Sequence, residues 1–159
     1  MSTKTAELEA GDTAPDFTLP TDGGGKLGLK KLRGAPVVLY FYPKDDTSGC
    51  TAEACGFRDT HAKFSRGDIT VIGISRDSVE SHDKFKKKHK LNFTLASDAE
   101  GKVTAAYGVW VQKTLYGRKY MGIERATFLL DAKGKIARIW HKVKVPGHVE
   151  EVLAAAKQI

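Results

Sequence analysis

The sequence predicts an α/β fold in which helices cover a central sheet, and three observations carry that reading. The continuous apolar run 37–42 has the character of a strand buried on both faces, and Ile69-Thr70-Val71-Ile72-Gly73-Ile74 reads as a second buried strand. Between them Cys50, Ala54, Phe57, His61 and Phe64 recur at helical spacing, so the segment reads as strand, helix, strand. Such a unit implies a parallel strand pair with a right-handed crossover. Farther on, residues 126–130 and 136–140 flank Asp131-Ala132-Lys133-Gly134, a hairpin signal that extends the sheet.

The other elements follow in order. Residues 1–10 read as a frayed tail. Phe17-Thr18-Leu19 and Leu27-Gly28-Leu29 are short strands around the turn Thr21-Asp22-Gly23-Gly24-Gly25, an N-terminal β-hairpin. After the second buried run, Asp77 and Glu80 have the spacing of a capping box and should open a helix. That helix carries Lys84-Phe85-Lys86-Lys87-Lys88-His89-Lys90, with Val79 and Phe85 as its few apolar positions. A short strand is expected within residues 91–95, a short helix over 102–107, and a loop over 108–124. A last helix follows Pro146, with Val149, Val152, Leu153 and Ala156 on one stripe. No repeat or compositional break divides the chain, so residues 1–159 are expected to form one domain.

Composition narrows the class. Hydrophobic residues at 41% and charged residues at 28% fit a soluble globular protein. No apolar run is long enough to span a membrane, and residues 1–9 lack an apolar signal region. Two cysteines cannot build a disulfide framework, so a reducing, cytoplasmic setting with a reactive pair is expected. The net charge of +7 raises the question of nucleic acid, but no such motif accompanies the 84–90 run, which reads as a solvated helix face. Gly23-Gly24-Gly25-Lys26-Leu27-Gly28 matches a dinucleotide-binding pattern yet lies in a hairpin and opens no helix. The scattered histidines and two cysteines offer no structural zinc site, and no cofactor is expected.

The chemistry concentrates at Cys50 and Cys55, the only cysteines. Cys50 falls in the first turn of the predicted helix, where unpaired N–H groups and the positive end of the dipole favour thiolate over thiol. The thiolate is the nucleophile, and a helix N-terminus or nearby cation lowers the ordinary thiol value of about 8.5. A second thiol five residues on can attack whatever forms on the first. One isolated cysteine is more often a buried structural residue. Here the helix start and the second thiol together favour redox chemistry. Thr47 is also a good N-cap, Pro43 a natural loop entry, and Gly49 permits close backbone approach. Asp45 and Asp46 would disfavour a thiolate if they pointed inward, so both are expected to face solvent.

The order Pro43, Thr47, Cys50 resembles the peroxiredoxins. The longer string Phe41-Tyr42-Pro43-Lys44-Asp45-Asp46-Thr47-Ser48-Gly49-Cys50-Thr51, followed by Glu53, Ala54, Cys55, Gly56, Phe57 and Arg58, is similar to the bacterioferritin comigratory protein group, also called peroxiredoxin Q. Gly11-Asp12-Thr13-Ala14-Pro15-Asp16-Phe17 and Arg125-Ala126-Thr127-Phe128-Leu129-Leu130-Asp131 extend the likeness, and Ser48 departs from it where many members carry proline. The resemblance implies a thioredoxin-like fold and a thiol peroxidase. Cys50 would be the peroxidatic residue and Cys55 the resolving one. Thr47 and Arg125 would serve catalysis, with Pro43 and Gly49 at the substrate. Spacing alone leaves Arg125 a surface residue, and Arg58 is a weaker candidate for the same role. The implied reductant is thioredoxin, the implied state a monomer. A general thiol–disulfide oxidoreductase is the nearest rival, disfavoured because such enzymes usually carry C-x-x-C. A nonenzymatic binding protein using the 84–90 face is the rival from another class.

Overall fold

The computed structural model describes residues 7–159. Five strands form the central sheet in the order β5-β4-β3-β8-β9, comprising Thr94–Ser97, Thr70–Ser75, Val37–Phe41, Ala126–Leu130 and Ile136–Trp140. β3 runs parallel to β4 and β4 to β5, while β8 lies antiparallel to both β3 and β9. The mixed sheet and its helices are those of the thioredoxin-like fold that the sequence implies. A hairpin of β1 (Thr18–Pro20) and β2 (Lys26–Gly28) precedes it.

All five residues of β3 are buried, as the apolar run predicts, and they alternate between two cores. Val37, Leu39 and Phe41 face a cluster containing Phe17, Val103, Tyr107 and Phe128. Val38 and Tyr40 face the opposite one, filled by α1 (Ser48–Arg66), Phe85 of α2 (Val79–His89), and Val149 and Val152 of α4 (His148–Ala156). In α1 the stripe Cys50, Ala54, Phe57 and Phe64 is buried; His61 is only half-buried. α3 (Lys102–Ala106) lies on the other face, where Val103 is buried.

Four expectations need correction. The expected loop 108–124 is a hairpin of β6 (Trp110–Leu115) and β7 (Arg118–Ile123), closed by Tyr116 and Gly117, both at positive φ. Its strands are largely exposed, so they lack the apolar alternation that marks a buried strand. α2 is capped by Ser78, whose Oγ accepts from Ser81 N at 3.1 Å, because Asp77 is engaged elsewhere. The strand expected over 91–95 is shifted to β5. Of the tail, residues 1–6 lie outside the described residues, while Leu8 packs on the core and Glu9 O accepts from Asp12 N at 3.1 Å.

Candidate active site

The site forms where β3 hands over to α1. Thr47 is the N-cap of α1 by position, with extended backbone, but its side chain makes no cap bond. Its Oγ1 instead donates to Lys44 O at 3.0 Å, closing the loop on itself. Cys50 is the third residue of the helix and is 1% exposed. Its position in the first turn supplies the unpaired N–H groups and dipole end expected from sequence.

Arg125 arrives through sheet register. β8 pairs antiparallel with β3 so that Ala126 lies opposite Phe41, which sets the preceding Arg125 beside the loop after β3. Its Nη2 donates to Cys50 Sγ at 3.4 Å and its Nη1 to Glu53 Oε1 at 2.7 Å. A β-carbon at Gly49 would stand 3.0 Å from Nη2, so glycine leaves room for the guanidinium. Pro43 lines a neighbouring groove of about 450 Å³ together with Trp110, Lys113, Met121 and Ile123. The Lys113 ammonium is held below its ordinary value by burial and by Arg125, with Cys50 pulling the other way.

Glu53 is a site residue that the sequence reading missed. It is fully buried one turn after Cys50, and burial pushes its carboxyl up to about 7 against the pull of Arg125. Its i+3 relation to Cys50 places it on the buried stripe, a signal that helical periodicity could have supplied. Glu53 Oε2 and Tyr40 OH are buried without a hydrogen-bond partner among the described residues. Burial, then the charges of Glu53 and Cys50, push the Tyr40 phenol well above its ordinary value.

Cys55 is half-buried on the same unbroken helix, and both cysteines are free thiols. Arg58 does not join the site. Its Nη1 donates to His89 O at the end of α2, at 2.7 Å. Asp46 faces outward as expected, its carboxylate paired with Lys88 and His89. Asp45 does not: it is buried, and accepts hydrogen bonds from Tyr42, Ser81 and His82. Those partners take the place of water, so the carboxylate turns inward. Asp45, Asp77 and His82 bring ligand-type atoms within 4.8 Å of one another, but the hydrogen bonds among them and their neighbours already use these atoms. The basic run on α2 is partly neutralised, with Lys86 on Asp22 and Lys88 on Asp46.

A thioredoxin-like sheet with a buried cysteine at a helix entry, under an arginine that touches its sulfur, defines a thiol peroxidase frame. The chain belongs to the AhpC/TSA family, whose profile matches residues 10–139, and within it to the Bcp, or peroxiredoxin Q, group. A Coxiella burnetii protein is 56% identical over 146 residues, covering 92% of this chain and 97% of that one. Peroxiredoxin Bcp of Bacillus subtilis is 49% identical, covering 96% of this chain and 97% of its own. Among solved structures, a cysteine-to-serine variant of PrxQ from Xylella fastidiosa superposes with a TM-score of 0.91 at 39% identity, covering 97% and 98% of the two chains. The bacterioferritin comigratory protein of Xanthomonas campestris, described by its alkyl peroxide reduction activity, gives 0.88 at 41% identity, with the same coverage. The protein is therefore a peroxidase that acts on peroxide with a thiol reductant. Among the described residues no helix is long and apolar enough to cross a membrane.

Proposed function

We propose that the chain reduces hydrogen peroxide and small organic hydroperoxides through Cys50 and is recycled by thioredoxin or a similar dithiol. The observation that carries this is the 3.4 Å contact between Arg125 Nη2 and Cys50 Sγ at the start of α1. A guanidinium there stabilises the thiolate and the charge that develops on the breaking O–O bond. The sulfur attacks one peroxide oxygen, the O–O bond breaks, and water or an alcohol leaves after taking a proton. Cys50 becomes a sulfenic acid. The N–H groups of Gly49 and Cys50 are the donors to the peroxide, the Thr47 oxygen, whose proton goes to Lys44 O, accepts from it, and Pro43 shields the sulfur. Cys55 then attacks the sulfenic sulfur, forming the S–S bond and releasing water. A dithiol reopens that bond and is itself oxidised.

Resolution requires unwinding. Five residues along a helix separate two Cα atoms by roughly 8–9 Å and turn the side chains about 140° apart. A disulfide needs Cα atoms within about 7 Å. The first turns of α1 therefore open between peroxide attack and recycling. The alkyl peroxide activity described for the Xanthomonas campestris protein supports the substrate class. The intramolecular pair supports a monomeric, single-domain enzyme of the cytoplasm.

Single-turnover peroxide assays with thiol mass spectrometry test the division of labour. Cys50→Ser should abolish peroxide consumption. Cys55→Ser should keep the first turnover and lose most reductant-supported cycling. The opposite pattern would reverse the two roles.

A further inference from the structure

Helix α2 grips the loop between β3 and α1 at two successive residues. Asp45 Oδ1 accepts from Tyr42 OH at 2.6 Å, and its Oδ2 accepts from Ser81 Oγ at 2.8 Å and from His82 Nδ1 at 2.7 Å. The Asp45 N–H donates to Asp77 Oδ2 at 2.8 Å. Asp46, at a φ of 61°, receives Lys88 Nζ at 2.8 Å and His89 Nε2 at 3.1 Å. Asp45 and Asp46 are the middle of the loop that carries Pro43 at one end and Thr47 at the other.

His82 is the buried member of this grip, 0% exposed. Its Nε2 faces Ala96 O at 3.0 Å, and a carbonyl only accepts, so Nε2 bears a hydrogen. Its Nδ1 faces a carboxylate that two hydroxyls already serve as donors, so Nδ1 bears one as well. With Asp45 as a carboxylate, the ring is thus an imidazolium. The charged groups acting on it are Asp45 of the loop and Asp77 after β4. Tyr42 keeps its phenol proton because burial disfavours the phenolate, and β5 presents only the Ala96 carbonyl. Burial works against the charge, while the Asp45 hydrogen bond and both carboxylates hold the imidazole above its ordinary value. A buried ion pair is weak as a source of stability compared with apolar packing of the same volume. Its value is directional: it admits one placement of Asp45.

We propose that His82 is a positioning residue for peroxide reduction, fixing through Asp45 the loop that sets Pro43 and Thr47 against Cys50. The inference rests on Cys50 as the nucleophile. The guanidinium that stabilises the thiolate comes from Arg125, just before β8, independently of this grip, so His82 governs the fit of the peroxide and not the reactivity of the thiol in general. That separates it from a residue needed only for folding.

The test compares two reactions of Cys50 in His82→Gln and Ser81→Ala, both checked for native near-UV circular dichroism. The rate constant with hydrogen peroxide should fall about tenfold in His82→Gln and about two- to threefold in Ser81→Ala, as slight misplacement of a reacting group costs. Alkylation by iodoacetamide at the same pH should stay within about twofold of the parent, a split expected if positioning and thiolate stabilisation are separate. Nitrogen chemical shifts of His82 at pH 7 should report both ring nitrogens protonated. A folded His82→Gln with the parental peroxide rate overturns the proposal, as does an equal fall in both reactions or a neutral ring. Should His82→Gln fail to fold, Ser81→Ala decides by the same split. Cys50→Ser keeps the two readings apart. If it still consumes peroxide, the nucleophile assignment fails. If it is inert while His82→Gln is unimpaired, only the positioning role falls.

Discussion

The two halves of α1 are held by different forces. Residues 48–55 depend on polar contacts: Arg125 bridges Cys50 and Glu53, and the Thr47 hydroxyl leaves the helix start without a side-chain cap. Of the buried side-chain polar atoms without a partner among the described residues, Glu53 Oε2 lies in this half and Tyr40 OH belongs to a ring in the same cluster as Cys50. Residues 56–66 depend on apolar packing. Phe57 stacks on Tyr40 with ring centroids 4.6 Å apart, and Phe64 follows at 5.8 Å from Phe57. Gly56 marks the junction, where an added β-carbon would stand 3.0 Å from Val149 Cγ2. Glycine there admits α4 and weakens helical continuity directly after Cys55. The contrast teaches that local stability follows the chemistry. The first half commits only two small side chains, Cys50 and Ala54, to the apolar core, which fits the proposed opening of this half while the anchoring half stays folded.

The largest expected effect tests the anchor. Phe57→Ala removes a fully buried ring and should cost about 3–5 kcal/mol in urea unfolding. A cost near that of a surface change would erase the distinction between the halves. Next comes the polar half. Arg125→Ala should slow peroxide reduction by on the order of 10²–10³, the range for losing a charge-stabilising donor. Alkylation of Cys50 at pH 7 should slow with it, and a variant unchanged in both reactions would remove Arg125 from the site.

Hydrogen exchange sharpens the comparison directly. Oxidation to the Cys50–Cys55 disulfide should cut amide protection over residues 48–55 by about tenfold or more, while residues 57–66 keep theirs. Equal, strong protection in both redox states, with the disulfide confirmed, would contradict the unwinding.

The smallest effect concerns Glu53. Its carboxyl is raised to about 7 in the fold. From the ordinary carboxylate value near 4.3 up to that point, the folded protein holds a proton the unfolded chain has released. Stability should therefore fall as pH rises through this window and remain lower above it. Glu53→Gln cannot titrate, so thermal unfolding should show it more stable at pH 8 by about 1 kcal/mol, after allowing for its weaker bond to Arg125. The advantage should vanish near pH 4.

What could be read from sequence was local. β3 announces itself because a strand buried on both faces is apolar at every position, and β4 does so through Val71, Ile72 and Ile74; Pro43, Thr47 and Cys50 lie within one short segment. Arg125 could not be placed by spacing, since it meets Cys50 across 75 residues through the β3–β8 register. Only the family likeness pointed to it. Asp45 turned inward for a similar reason: its partner His82 lies 37 residues on and reaches it when α2 packs. Glu53 is legible in principle, as an acid on the buried stripe of an otherwise apolar helix face. The β6–β7 hairpin escapes a sequence reading because its strands are largely exposed, and Tyr116-Gly117 is its one turn signal.

The junction at Gly56 also sets a length. As helix, residues 48–55 span about 12 Å. Drawn out, the same eight residues reach about 27 Å. Asp46 is pinned to Lys88 and His89 just before them, and Phe57 is pinned in its aromatic stack just after. On the proposed unwinding, the released segment would thus be more than twice as long in contour as the gap it bridges. Its slack can go only outward, because the core beneath is full. In the proposed oxidised state the Cys50–Cys55 pair would then close the base of a protruding bight of chain, where a reducing partner would reach the sulfur–sulfur bond without entering a cleft.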